Sequence, residues 1–329
     1  MEKNKTILEG RGVAIGYPKG STTNWIAEGI SFSLKAGQLT CLLGPNGVGK
    51  STLIKAILGH KIPMKGEILY QGEPIKTLNA RAMARKVSVV LTDRISPGNL
   101  NVRQLVGLGR IPFTNWLGAI AEEDQKVIDS AIQETKIGYL ADKKVAELSD
   151  GQLQKTMIAR ALAQDGELMI LDEPTAHLDL VNRLEIMQLL REIAHARRKA
   201  ILVVTHDLDI AVETADKFWL MPCSGPLISG TPEDLILSGE INELLPRGKF
   251  HFNPATGKIQ SSIPLDEPHI EGPKEVVQWL ELALRKRNLV VDKKIRITAS
   301  KDPVSFLVEN AGKSTQVNTV KEVLDALMS

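Results

Sequence analysis

Short apolar runs at 30–34, 39–43 and 67–70, separated by Gly or Pro, predict strands in the first part of the chain. After Lys50 the pattern changes to the spacing of a helix over 51–58, closed by Gly59. From about 79 to 164 the chain is mainly helical in character, broken by loops rich in Gly, Pro and Asn at 96–101 and 107–113. That stretch reads as an insertion into an α/β core. Alternation then resumes, with a strand at 168–171, a helix over 180–191 and a strand at 200–205. Strands separated by helices predict a mostly parallel sheet covered on both faces.

A boundary is expected near 246–249, dividing the chain into a large domain, 1–248, and an extension, 249–329. Within the first, a helical subdomain spans about 80–165. The extension opens with a strand pair over 250–263 around an Asn-Pro-Ala-Thr-Gly turn. Helical spacing follows over 274–287, then a strand-like run at 294–298 and a helix over 320–328. These elements predict a small α/β unit.

Composition narrows the classes. The chain has 329 residues, and 41 Lys and Arg against 39 Asp and Glu give a formal charge of +2. That balance argues against nucleic acid as the main ligand. The two cysteines, Cys41 and Cys223, show no metal-ligand spacing and read as core or near-core thiols of a reducing compartment. The first ten residues lack the apolar region of a secretory signal, and no run approaches the ~18 apolar residues of a membrane span. The expectation is a cytoplasmic chain whose membrane role, if any, goes through a partner.

The strongest chemical signal is Gly44-Pro45-Asn46-Gly47-Val48-Gly49-Lys50-Ser51-Thr52, which matches G-x-x-x-x-G-K-[ST] between a predicted strand and a predicted helix. Glycines let the backbone curl so that successive N–H groups face phosphate oxygens, and the helix start adds the positive end of its dipole. Lys50 is placed to neutralise β- and γ-phosphate charge, and Ser51 to ligate magnesium. The run 168–171 then delivers Asp172 and Glu173 to a strand end. Asp172 is the expected magnesium ligand, and Glu173 the expected general base for the attacking water. A third strand ends at His206, where imidazole can donate to the γ-phosphate. ATP and Mg2+ are therefore the expected ligands.

Leu148-Ser149-Asp150-Gly151-Gln152, directly before a predicted helix, resembles the signature of the ATP-binding-cassette (ABC) transporter ATPases. The resemblance covers about residues 6–245. It implies an α/β P-loop fold with a helical signature subdomain. It also implies that Ser149, Gly151 and Gln152 bind the γ-phosphate held by an opposite subunit, in a head-to-tail homodimer. Tyr17 resembles the aromatic that stacks on adenine, and Asp179 sits where the family has the loop bridging the two subunits. The segments 102–112 and 252–258 are similar to ATPases importing iron–siderophore complexes, haem or cobalamin. On that resemblance the partners are integral membrane permease subunits, with a periplasmic or surface substrate-binding protein acting indirectly. The chain would then lie on the cytoplasmic face of the membrane.

Two departures stand out. Asp150 replaces a signature glycine, and Thr92 stands where the family's strand ordinarily ends in glutamine. Threonine is too short to span the same gap to a metal, so water, Asp93 or looser coupling must compensate. Two other classes remain open at this point: a soluble cassette ATPase of DNA maintenance or translation, and an ATP sensor that does not hydrolyse. The first lacks its usual coiled-coil or zinc-bearing insertion here. The second is opposed by the intact Asp172, Glu173 and His206.

Overall fold

The computed structural model describes residues 5–19, 22–91, 98–114, 120–223, 225–246, 248–261, 269–287, 295–310 and 313–328. Two compact units result, 1–260 and 261–329.

The larger unit is built on a six-stranded sheet of β3 (Gln38–Leu43), β6 (Val87–Val90), β7 (Leu168–Asp172), β8 (Ala200–Val204), β9 (Lys217–Leu220) and β10 (Ile228–Gly230), in the order β10-β9-β3-β8-β7-β6. All neighbours run parallel except the edge strand β10. Successive side chains of a strand point to opposite faces, so a strand covered on both sides must be apolar throughout. Thus Leu39, Cys41 and Leu43 enter one core with Met169, Leu171, Ile201 and Val203. Leu42, Leu168, Ile170, Leu202 and Val204 enter the other. Each such burial contributes roughly 1.5–3 kcal/mol against exposure.

The second core lies beneath an antiparallel sheet of β1 (Thr6–Lys19), β2 (Thr22–Lys35), β4 (Lys65–Tyr70) and β5 (Glu73–Pro74), together with α1 (Lys50–Ile57). Strand β2 is longer than the expected 30–34. Positions 22–29 are largely half-buried or exposed, so they carry no apolar run. Pairing with β1 makes them a strand. The first core is roofed by α3 (Val102–Gly107), α4 (Glu122–Glu134), α5 (Asp150–Ala163), α6 (Leu180–Arg197) and α7 (Leu208–Thr214). Helix α2 (Ala80–Lys86) leads into β6, and α8 (Pro232–Leu237) follows β10. The predicted α/β fold with a helical insertion is therefore present, and α6 continues beyond the expected 191.

The hairpin β11 (Phe250–Asn253) and β12 (Lys258–Ser261) forms as expected, but Phe252 is buried in the first core and its N–H donates to Asn242 Oδ1 at 2.7 Å. That anchoring puts the division at 260/261 rather than near 248. The smaller unit contains β13 (His269–Glu271), α9 (Lys274–Lys286), β14 (Arg296–Lys301), β15 (Val304–Asn310), β16 (Lys313–Val317) and α10 (Val320–Met328). Its sheet order is β13-β14-β15-β16, and Leu280, Leu284, Ile297, Phe306, Val308, Val323 and Leu324 form its core. Cys41 is buried, whereas Cys223 is exposed, against the expectation of two core thiols. Among the described residues no helix is long and apolar enough to cross a membrane.

Candidate functional site

Parallel strands deliver their C-terminal ends to one edge, and the candidate residues converge there. Thr205 N–H donates to Leu42 O at 3.2 Å and Glu173 N–H to Val204 O at 2.9 Å, stitching the ends of β3, β8 and β7 together. The loop leaving β3 is held in shape by its glycines. Gly47 and Gly49 have φ of 79° and 112°, a region L-residues rarely enter. A Cβ on Gly49 would lie 2.1 Å from Ile26 Cγ2, and one on Gly44 would lie 2.5 Å from Met221 O. Asn46 and Gly47 are exposed at the tip, while Pro45 and Val48 are half-buried.

Lys50 opens α1 and folds back over this loop, donating to Gly44 O at 2.6 Å and Pro45 O at 3.1 Å. Burial pushes its ammonium below the usual lysine range, opposed by the negative charges of Glu173 and Asp172. The lysine thus shares its field with both carboxylates. Glu173 has an unusual φ of 49° and a mostly buried side chain. Its Oε2 lies 2.8 Å from His206 Nδ1, an ion-pair contact when the imidazole is protonated.

Tyr17 is 45% exposed, with its hydroxyl 3.4 Å from Thr52 Oγ1. The Lys61 ammonium sits 3.2 Å from the ring centroid. The Thr52 hydrogen bond, with Lys61 adding to it, holds the phenol below its usual range. Ser51 is exposed beside Lys50. Ser51 and Asp172 are hard oxygen donors of the kind Mg2+ takes when phosphates complete its shell. Among the described residues no group of three or more His, Cys, Asp or Glu could hold a metal by itself. The donor set fits Mg2+ carried in with a nucleotide.

Signature residues and Asp179 form a second group. Ser149 caps α5: its Oγ accepts from Gln152 N–H at 3.3 Å, and Gln152 Oε1 accepts from Ser149 N–H at 3.2 Å. This reciprocal box satisfies two helix-end donors. Asp179 caps α6 in turn, accepting from Asn182 N–H and Nδ2 at 2.9 and 2.6 Å. A Cβ on Gly151 would lie 2.8 Å from Asn182 Oδ1, so the two helix starts touch. Composition left Asp207, Thr175 and Arg183 unmarked, yet they join this group to the strand ends. Thr175 Oγ1 and Arg183 Nη1 donate to the Asp207 carboxylate at 3.0 and 3.2 Å, and Arg183 Nε donates to Leu178 O at 2.7 Å. The only sequence signal was adjacency of Asp207 to His206. Thr92 and Asp93 lie outside the described residues.

The family model described as ABC transporter matches residues 27–176. An uncharacterized ABC transporter ATP-binding protein of Methanocaldococcus jannaschii is 37% identical over 255 residues, covering 77% of this chain and 86% of that protein. The chain belongs to the ABC transporter family. As an ABC transporter ATPase domain it binds and hydrolyses ATP. The achromobactin transport ATP-binding protein of Dickeya dadantii is 35% identical over 231 residues, covering 70% of this chain and 84% of its own length. Among solved structures, cbiO1 from Clostridium perfringens, part of the ABC transporter complex cbiONQ, aligns with a TM-score of 0.64 at 31% identity. It covers 74% of this chain and 97% of that one.

Proposed function

We propose that the chain is the ATPase subunit of an ABC importer for an iron chelate or cobalamin, working as a head-to-tail dimer with membrane permease subunits. Likeness to an achromobactin transport protein, together with the motif runs 102–112 and 252–258, supports the substrate class. The observation that carries the hydrolytic part is the Glu173 carboxylate, mostly buried beside His206 and in the field of Lys50. In this reading Lys50 leaves the Gly44 and Pro45 carbonyls for the β- and γ-phosphates, and loop N–H groups complete the cradle. Mg2+ would be held by Ser51 and Asp172 and would neutralise phosphate charge.

Glu173 accepts a hydrogen bond from the attacking water and takes its proton. His206, fixed beside that carboxylate, donates to the γ-phosphate. Tyr17 offers its ring to adenine after Lys61 yields the face it covers. Ser149, Gly151 and Gln152 present their helix start to the nucleotide of the opposite subunit, and Asp179 keeps the neighbouring loop in register. Leu108, Ile111 and Ile120 are large apolar residues exposed on the helical insertion, and they form the docking surface for the permease. That contact places the chain at the cytoplasmic face of the membrane.

The test is uptake of labelled ferric siderophores, haem and cobalamin in cells lacking the chain. Complementation by wild type but not by Glu173→Gln is the expected result for one of these compounds. Unchanged uptake of all three would reject the substrate class.

A further inference from the structure

Helix α5 starts at the signature residues and ends against the turn 108–114, the part of the insertion that exposes Leu108 and Ile111. Its 14 residues make a rod about 21 Å long. The turn is fastened to the far end of this rod in an unusual way. Gly109 approaches backbone to backbone, since a Cβ there would lie 2.2 Å from Arg160 O. Arg110, only 8% exposed, donates from Nη1 to Ala163 O at 2.9 Å and from Nε to Asp124 Oδ1 at 2.7 Å. Asp124 is equally buried, and its other oxygen accepts the Ala121 N–H at 3.1 Å, at the start of α4.

The Arg110 guanidinium also lies 4.0 Å from the Phe113 ring centroid. From α2, Arg81 and Arg85 donate to Pro112 O at 3.3 and 3.1 Å, and Arg81 also donates to Thr114 O at 3.1 Å. Three arginines therefore grip one exposed apolar turn. A buried charge pair is poor value for stability alone, because desolvation offsets its attraction. It does fix one geometry, since a planar guanidinium bonded on two edges and stacked on a ring tolerates little tilt.

We infer that Arg110, clamped between Asp124, Ala163 O and Phe113, is a positioning residue that makes the turn 108–114 and the signature helix move as one body. The inference rests on the transport reading above and names the element through which ATP-driven motion reaches the docking surface. Arg110 bonds Asp124 and Ala163 O, neither of them among the residues assigned to nucleotide binding or hydrolysis. Its loss therefore acts on transmission and leaves ATP chemistry in place.

The test uses the full chain in the Glu173→Gln background, with hydrogen exchange read before and after Mg-ATP. With Arg110 present, amides of 108–114 and of 150–163 change protection together. With Arg110→Lys, which keeps the charge but not the two-edged grip, the change at 150–153 persists and that at 108–114 falls at least threefold. In an otherwise wild-type chain, Arg110→Lys keeps ATP hydrolysis by the isolated subunit within about twofold, while uptake in cells drops tenfold or more. Arg197→Lys is the control. It alters a more exposed arginine–carboxylate pair, Arg197 with Glu134, away from the turn, and leaves uptake unchanged. The inference is overturned if the turn responds to ATP equally with and without Arg110. It also fails if hydrolysis and uptake fall in the same proportion. If wild type binds ATP and the two segments respond together, but no chelate or cobalamin uptake depends on the chain, the substrate reading fails while the latch stands.

Discussion

The two halves of the site are finished to different degrees. On the phosphate-loop side, Lys50 spends its donors on the carbonyls of its own loop, Glu173 is mostly buried beside His206, and Gly49 holds a φ of 112°. On the signature side, Ser149 and Gln152 satisfy one another, Asp179 is fully engaged with Asn182, and the two helix starts pack together. One half holds a lysine that can exchange its carbonyl partners for a ligand's oxygens, beside a glutamate held at an unfavourable φ of 49°. The other is a completed helix terminus, stable by itself, that offers only a dipole and its remaining N–H groups. Binding energy on the first side can be turned into differential stabilisation of a reacting state. The second side can serve as a rigid lid without being rebuilt.

Substitutions on the first side should cost chemistry, and those on the second should cost stability first. The largest effect is expected for Glu173→Gln: hydrolysis falls about 10²–10⁴-fold while ATP binding persists, measured by single-turnover release of phosphate alongside equilibrium nucleotide binding. Equal loss of binding and turnover would show that Glu173 shapes the loop and does not act on water. Asp124→Asn tests the body that holds the signature helix, and should destabilise by about 3 kcal/mol because Arg110 is left buried with a weaker partner.

The pH dependence of that variant follows from its sign. Burial alone would raise the Asp124 carboxyl, but hydrogen bonds from Arg110 and from Ala121 N–H outweigh it and hold it below its ordinary value. Its stabilisation is complete above the unfolded carboxyl pKa of ~4 and is lost as pH falls through the lower folded value. Urea midpoints of wild type and Asp124→Asn should therefore differ most near pH ~7 and converge in strong acid.

Gly49→Ala should weaken ATP binding by about 2 kcal/mol, since the new methyl meets Ile26 at a backbone angle that disfavours it. Titration with a fluorescent nucleotide measures this directly. Smallest is Ser149→Ala, expected to lower thermal stability by about 1 kcal/mol through the lost cap, with little change in ATP affinity of the isolated subunit. A large affinity loss there would mean that the capped terminus contacts the nucleotide within one chain, and the contrast between the halves would not hold.

Much of this was readable in advance for a physical reason. Residues 44–52 need glycines at set positions, and the strands leading to Gly44, Asp172 and Thr205 must be apolar because both faces are covered. Where burial is one-sided the signal thins. The front of β2 is strand because β1 lies beside it, with register shifts no pattern rule would supply. Strand β15 alternates only over Ser305–Val308, beneath α9 and α10. Lys61 on the Tyr17 ring, and Asp207 gathering Thr175 and Arg183, come from different elements separated along the chain. Their residue types are common on any surface, so composition could not single them out.

By itself, the sequence determined the phosphate loop, the apolar strand that leads into it, the acidic pair at the end of β7 and the capped signature helix. Those depend on local backbone geometry and periodicity, which are written residue by residue. Tertiary structure alone decided that Phe252 anchors the hairpin to the large unit, that Glu173 is mostly buried beside His206, and that Arg110 is buried against Asp124 and Ala163 O. Each of these is a contact between distant segments, and its energy depends on burial, which exists only once the chain has folded.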